Sequence, residues 1–311
     1  MSDQNPRLHR IISAVVVLYA SSVLLLLAVS FLIPRPEARG ILRTVFSLLL
    51  FPALIFLPLM LLLRRWRLSV LLLPFVVAWT VVYGSLLIPR GATPPADAFR
   101  FTILTFNVQI ASENLDSISQ LIADVNADIV AVQELSEPAA QHFETVFATQ
   151  YPHRALHPSR NPHWGQGVMS RFPIDEHEYW RNEAIDVALG HMWAELDLDG
   201  QPITIFSTHP VPPLSFEKGI TLQPHSQEIE ILLERAAQRE TPLVLVGDFN
   251  MTQLMDEYQR VTRTYIDTFR EAGQPGLGFT FPAGSRFPLP PVVRLDYIFT
   301  RPTLWASLLT Q

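Results

Sequence analysis

Leu243-Val244-Leu245-Val246-Gly247-Asp248-Phe249-Asn250 decides the fold. Four aliphatic residues without polar alternation read as a strand buried on both faces. The strand runs directly into Gly-Asp-Phe-Asn, where the chemistry changes from packing to polar contact. Three other apolar runs end in the same way. Ile103–Phe106 stops at Asn107, Ile129–Val132 at Gln133-Glu134, and Ile203–Phe206 at Ser207-Thr208-His209. Each end alone has a bland reading: a loop start, a surface carboxylate, a hydrogen-bonded histidine, or Gly-Asp turn chemistry. Four such ends together predict strands lying side by side, with their polar ends clustered at one rim. In an extended chain residues i and i+2 face the same way, so Asp248 and Asn250 are expected to point together.

Around these strands the period shifts to helical. Leu115, Ile118, Leu121, Ile122 and Val125 predict a helix over 114–126, and further helices are expected at 138–148 and 224–239. Met192–Leu198 alternates, Leu295–Phe299 is the last strand, and no repeat of 20–50 residues interrupts the pattern. Interleaved strands and helices imply an α/β layered domain.

These residues resemble the endonuclease/exonuclease/phosphatase superfamily, the type I deoxyribonuclease-like fold. The elements that carry the resemblance run from Thr105-Phe106-Asn107-Val108 through Asp128-Ile129-Val130-Ala131-Val132-Gln133-Glu134 to Gly167-Val168-Met169-Ser170-Arg171-Phe172-Pro173-Ile174. They continue with Ser207-Thr208-His209-Pro210, Gly247-Asp248-Phe249-Asn250 and Arg294-Leu295-Asp296-Tyr297. The resemblance implies a four-layer α/β sandwich, two central β-sheets flanked by helices. It implies Mg²⁺ (or Mn²⁺) held by Glu134 with Asn107 beside it. Asp248 would orient or deprotonate water, Asn250 would hold a phosphate oxygen, and His209 would contact the phosphate or protonate the leaving oxygen. Asp296 would support a further histidine. These residue types suit the task, because a hard cation prefers carboxylate oxygen and an amide or imidazole can bind phosphate without repelling it.

Fifteen residues follow Asp296, and they contain neither Asp nor His. The family ordinarily carries a Ser-Asp-His element there, so Asp296 lacks its usual partner and the domain reads as C-terminally incomplete. None of His142, His153, His157, His163, His177, His191 and His225 sits in a motif that marks it as a replacement. The expectation is a phosphoester hydrolase of weak or no activity. The alternative is a catalytically degenerate phosphate-binding or scaffold protein on the same fold.

The first hundred residues are of another kind. They carry ten Arg against three acidic residues, a net +7, whereas 101–311 carries thirteen Lys and Arg against twenty-six Asp and Glu, a net −13. Uncharged stretches of 24, 20 and 22 residues separate Arg10 from Arg35, Arg43 from Arg64, and Arg67 from Arg90. About 20 apolar residues cross a bilayer core. Three transmembrane helices preceding the sandwich are therefore expected, at about 11–33, 44–63 and 68–88, within an anchor over 1–90. A linker follows at 91–100, and the enzyme-like domain occupies 101–311. The spans lack ionisable groups, which argues for an anchor over a transporter. Five arginines fall on each side of the membrane, and the Arg64-Arg65-Trp66-Arg67 turn favours an inside N-terminus. The expected location is a multi-pass protein of the inner or cell membrane with its soluble domain extracytoplasmic.

Zero Cys removes disulfides, thiolate metal sites and Cys nucleophiles. A single Lys, Lys218, in an acidic domain disfavours a basic nucleic-acid groove. The partners expected are the lipid bilayer and a phosphoester: a lipid head group, a small phosphodiester, or nucleic acid. The aromatic and proline-rich stretch from Phe279 to Pro291 reads as a rigid loop, with a lining or lipid-contact role as the alternative.

Overall fold

A computed structural model describes residues 6–30, 32, 39–88, 99–108, 114–215, 218–272, 276–282 and 290–302. Residues 91–98 of the expected linker, 283–289 of the Pro-rich stretch and the tail from 303 lie outside the described residues. The chain divides into two compact units.

The first unit is helical: α1 (Pro6–Ser30), α2 (Arg39–Leu49), α3 (Phe51–Leu62) and α4 (Trp66–Tyr83), the last continued by a 3-10 turn to Leu87. Three segments, His9–Ser30, Arg39–Leu62 and Trp66–Leu87, are long and apolar enough to cross a membrane. They start a few residues before the expected bounds, because the flanking arginines are taken into the first helical turn. Pro52 explains the break at Leu50. It sits in the first turn of α3, where an N–H would have no intrahelical acceptor. Val16, Ala20, Val23, Ala53, Met60 and Leu72 form the unit's interior. Leu18, Ile55, Leu62, Val70 and Val81 face outward, which suits lipid and not water.

The second unit holds two mixed sheets. Strands β1 (Ile103–Asn107), β2 (Ile129–Gln133), β3 (His153–His157) and β4 (Gln166–Ser170) form one, in the order β1-β2-β4-β3. Helices α5 (Leu115–Val125) and α6 (Glu137–Val146) cover it, each started by a side-chain cap, Asn114 on Ser117 N–H and Ser136 on Ala139 N–H. The chain then forms β5 (Ile174–Arg181), β6 (Gly190–Leu198), β7 (Gln201–Thr208) and a small hairpin of β8 (Leu214–Ser215) and β9 (Gly219–Ile220). After α7 (Leu222–Ala237) come β10 (Leu243–Asp248), α8 (Asp256–Val261), β11 (Ile266–Asp267), α9 (Thr268–Glu271) and β12 (Asp296–Thr300). The second sheet has the order β11-β12-β10-β7-β6-β5.

Burial on both faces accounts for the unbroken apolar runs. In β2, Val130 and Val132 pack with Ile118, Ile122 and Phe143 of the helix layer. Ile129 and Ala131 point the other way, among Met192, Ala194, Ile205, Val244 and Val246 of the second sheet. This is the four-layer α/β sandwich expected from the sequence.

Strand direction places the site. β1 runs parallel to β2, with Asn107 opposite Gln133, and β10 runs parallel to β7, with Gly247 opposite Thr208. β12 is antiparallel to β10, which sets Asp296 opposite Asp248. The sheets are joined beneath this rim by buried side chains. Thr105 Oγ1 donates to Gln133 Oε1 (3.1 Å), Gln133 Nε2 to Ser207 Oγ (3.0 Å), and Ser207 Oγ to Gln166 Oε1 (2.8 Å). At the other end of β2, Arg171 donates to Asp128 at 3.0 Å, so the Ser-Arg-Phe-Pro and Asp-Ile elements serve as a structural clasp.

Candidate active site

Asn107 Nδ2 donates to Glu134 Oε1 and to Asp248 Oδ2, each at 3.1 Å, although 141 residues separate Asn107 from Asp248. His209 Nε2 lies 3.6 Å from Glu134 Oε1 and 3.9 Å from Asp248 Oδ2. Asp296 stands beside Asp248 across the β10–β12 ladder. Asn107, Glu134, His209, Asp248 and Asp296 are thus brought to one place by four strand ends and one strand start.

Asn250 is adjacent but departs from the extended geometry expected for it. Its φ is 49°, in the left-handed region, and its N–H folds back onto Asp248 Oδ1 at 3.0 Å. Its side-chain Nδ2 donates to Pro210 O at 3.0 Å, which ties it to the loop after His209. The strand ends at Asp248, so the alternation of an extended chain no longer applies two residues on.

Gly247 explains why this motif starts with glycine. Its φ is +143°, and a Cβ there would lie 2.1 Å from Thr208 O of the neighbouring strand. Glu134 also holds a left-handed backbone, with φ 56°. Gly247 stays within β10, paired with Thr208 and Tyr297, whereas Glu134 is the first residue past β2.

The carboxylates do not share one electrostatic state. Burial pushes Glu134 up, but contact with His163, the charge on His209 and the Asn107 amide outweigh it and bring the group down to about 2. Burial raises Asp248 to about 6, opposed by the Asn250 and Asn107 N–H groups and reinforced by Glu134. Burial, then the charge on Asp248, raises Asp296 to about 7. His209 is pushed below the ordinary imidazole value, chiefly by burial, against the pull of Glu134.

The sequence did not single out His163. Its Nδ1 lies 3.5 Å from Glu134 Oε1, on a 3-10 turn, Pro162–Trp164, that leads into Gly165. Gly165 O accepts from Leu135 N–H at 3.2 Å, and a Cβ on Gly165 would lie 1.9 Å from Leu135 O. That backbone contact brings the loop against the residue after Glu134.

The donor set suits a hard divalent cation: carboxylates and an amide, with no thiolate. Glu134, Asp248 and Asp296 concentrate negative charge, and a cation would offset the burial, with the added repulsion, that lifts the two aspartates. Among the described residues no three His, Asp and Glu side chains form a ready-made cage. An ion that keeps several waters needs only one or two protein carboxylates.

The Endonuclease/Exonuclease/phosphatase family model matches residues 104–309. The chain belongs to this family. Its members are generally metal-dependent phosphoester hydrolases. Among solved structures, the chain is similar to an endonuclease/exonuclease/phosphatase family protein from Leptotrichia buccalis C-1013-b. The identity is 21% and the TM-score 0.52, over 67% of this chain and 90% of that one. A beta hairpin deletion mutant of beta toxin from Staphylococcus aureus gives 15% identity and a TM-score of 0.53, over 69% and 93% of the two chains. D. rerio TDP2 complexed with single strand DNA product gives 20% and 0.53, over 65% and 83%. At these identities the likeness concerns the fold alone. No curated protein matches the sequence.

Proposed function

We propose that the protein is a membrane-anchored, Mg²⁺-dependent phosphoester hydrolase, with residues 1–90 as a three-span anchor, 91–100 as linker and the rest as catalytic domain. The observation that carries this reading is the Asn107 amide joining Glu134 and Asp248 at 3.1 Å each, with His209 facing both carboxylates.

Glu134 and Asn107 would hold the ion. When bound, Mg²⁺ neutralises charge on phosphoryl oxygens, as Mn²⁺ can. Asp248, pushed up to about 6, is matched to accept a proton from water near neutral pH. Asp296 stands opposite it across the β10–β12 ladder, and the charge on Asp248 helps to raise Asp296 in turn. His209, disfavoured as a cation by its burial, acts as a neutral hydrogen-bond donor to phosphate. An amide nitrogen carries two hydrogens, and Asn250 spends one on Pro210 O, which leaves one for a phosphate oxygen.

A net charge of −13 over residues 101–311 and three apolar helices favour a phosphoester at the bilayer, a lipid head group or small phosphodiester, over duplex nucleic acid. The single strand DNA product bound to TDP2 makes single-stranded DNA the comparison substrate. The Arg64-Arg65-Trp66-Arg67 turn favours an extracytoplasmic domain in a multi-pass cell-membrane protein.

The test is hydrolysis by the full chain in detergent, offering bis(p-nitrophenyl) phosphate, phospholipid vesicles and single-stranded DNA, with Mg²⁺ or with chelator. Weak, chelator-sensitive cleavage is expected, because Asp296 lacks its usual histidine partner, and it should fall by about 100-fold or to background in Asp248→Asn and Glu134→Gln. Cleavage indifferent to chelator or to both substitutions would overturn the mechanism. Mg²⁺ and phosphate binding that depends on Glu134, without turnover, would leave a phosphate-binding protein instead.

A further inference from the structure

Pro210-Val211-Pro212-Pro213 follows His209 directly. Three of these four residues have no backbone N–H, so the segment cannot hold itself in place by sheet bonding. The single N–H available, on Val211, is donated at 2.7 Å to Glu228 Oε2. The Val211 carbonyl accepts from His225 Nδ1 at 2.8 Å. Residues 225 and 228 are three apart on α7 and share a face, so one helix grips both polar groups of a single residue. The flanking carbonyls are also taken. Pro210 O accepts from Asn250 Nδ2, and Pro212 O from Thr221 Oγ1.

Glu228 is itself buried, and both of its carboxylate oxygens accept hydrogen bonds. Its Oε1 receives Leu189 N–H at 2.9 Å and His191 Nε2 at 3.0 Å, and the other ring nitrogen of His191 lies 2.7 Å from Thr208 Oγ1. Thr208 precedes His209. The residues before and after His209 are therefore referred to one carboxylate, directly through Val211 and by way of His191 through Thr208. A carboxylate is required at 228. A glutamine amide of the same shape would turn N–H groups towards Val211 N–H on one side, or towards Leu189 N–H and His191 on the other.

We propose that Glu228, with His225, is a positioning residue that sets the placement of the His209 imidazole in the site. The kinetic part of this inference rests on the hydrolase reading, whereas the geometric part does not.

The test uses the full chain in detergent micelles, labelled with ¹⁵N-histidine, with the His209 ring signal identified by its loss in His209→Asn. Glu228→Gln is expected to displace or broaden that signal, and exposed Glu230→Gln on the same helix to leave it unchanged. His225→Ala is the second variant and should move the same signal, which keeps the inference open to refutation if Glu228→Gln fails to fold. In turnover, Glu228→Gln is expected to lower kcat by about tenfold or more with KM within about twofold. It should add nothing in the His209→Asn background, whereas a change in general stability would act in both backgrounds. An unmoved His209 signal in folded variants, or fully additive kinetic effects, would overturn the proposal. A wild-type chain without turnover, but with the signal displaced in the variants, would remove the hydrolase reading and leave the positioning role standing.

Discussion

Glu134 is held at φ 56°, a conformation that costs a residue with a Cβ about 1 kcal/mol and glycine almost nothing. Glu134→Gly is therefore expected to be more stable than Glu134→Ala by about 1 kcal/mol in chemical denaturation, with Mg²⁺ binding weakened in both. Equal stability would show that the backbone at this position relaxes freely. The acidic residues also give the fold a pH dependence of two signs. Asp248 and Asp296 are raised to about 6 and about 7, so the native state holds protons that the unfolded chain releases. Without divalent ions, stability is expected to fall as pH rises from about 4 to about 7, and added Mg²⁺ to restore it by binding the native state. Glu134, lowered to about 2, contributes in the opposite sense, with stability present above its ordinary value and lost as pH falls towards 2. Asp296→Asn should flatten the loss on the neutral side. Denaturation curves at several pH values in chelator would show this, and an unchanged slope would contradict the assigned causes.

Strand β10 depends on a backbone approach that only glycine permits. Gly247→Ala would place a methyl 2.1 Å from Thr208 O, at a φ of +143°, and is expected to cost about 3 kcal/mol or more, or to prevent folding. The inter-sheet chain is open to a milder test. Ser207→Ala leaves Gln133 Nε2 and Gln166 Oε1 without their partner, at about 1–3 kcal/mol for each stranded group, and a measured loss under about 0.5 kcal/mol would mean that water replaces the hydroxyl. The strands themselves were legible because the apolar runs at Ile103, Ile129, Ile203 and Leu243 stop abruptly at polar residues, and the sheets bury the last three on both faces while the edge strand β1 is half-buried. That Asn107, Glu134, His209 and Asp248 meet could be expected from four strand ends sharing a direction. His163 could not be found this way. It sits on a turn without periodicity, and what brings it to Glu134 is the contact of Gly165 with Leu135, which no local pattern encodes. The grip of His225 and Glu228 on Val211 was not legible either. Their target lies on another loop, and only the fold pairs them. Alternation does not extend to Asn250, because the strand ends at Asp248.

At the scale of the molecule, the charge division between net +7 and net −13 coincides with the division between apolar helices and the layered domain. Each unit has its own interior, Val16 with Leu72 in one and Ile205 with Val246 in the other. Ile205→Ala, between the sheets, is expected to cost about 2–5 kcal/mol and to lower metal binding along with it, while the helical unit keeps its own interior. Protease added to intact spheroplasts should digest the layered domain if it lies outside the cytoplasm, and full protection would reverse the orientation. The bridge from Asn107 to Asp248 has a consequence for the newly made chain. A nascent polypeptide exposes β1 and β2 long before β10 leaves the ribosome, and loop closure over 141 residues must wait for that arrival. On the hydrolase reading, the site would then assemble only when that late strand docks, and a chain without β10 would be chemically silent.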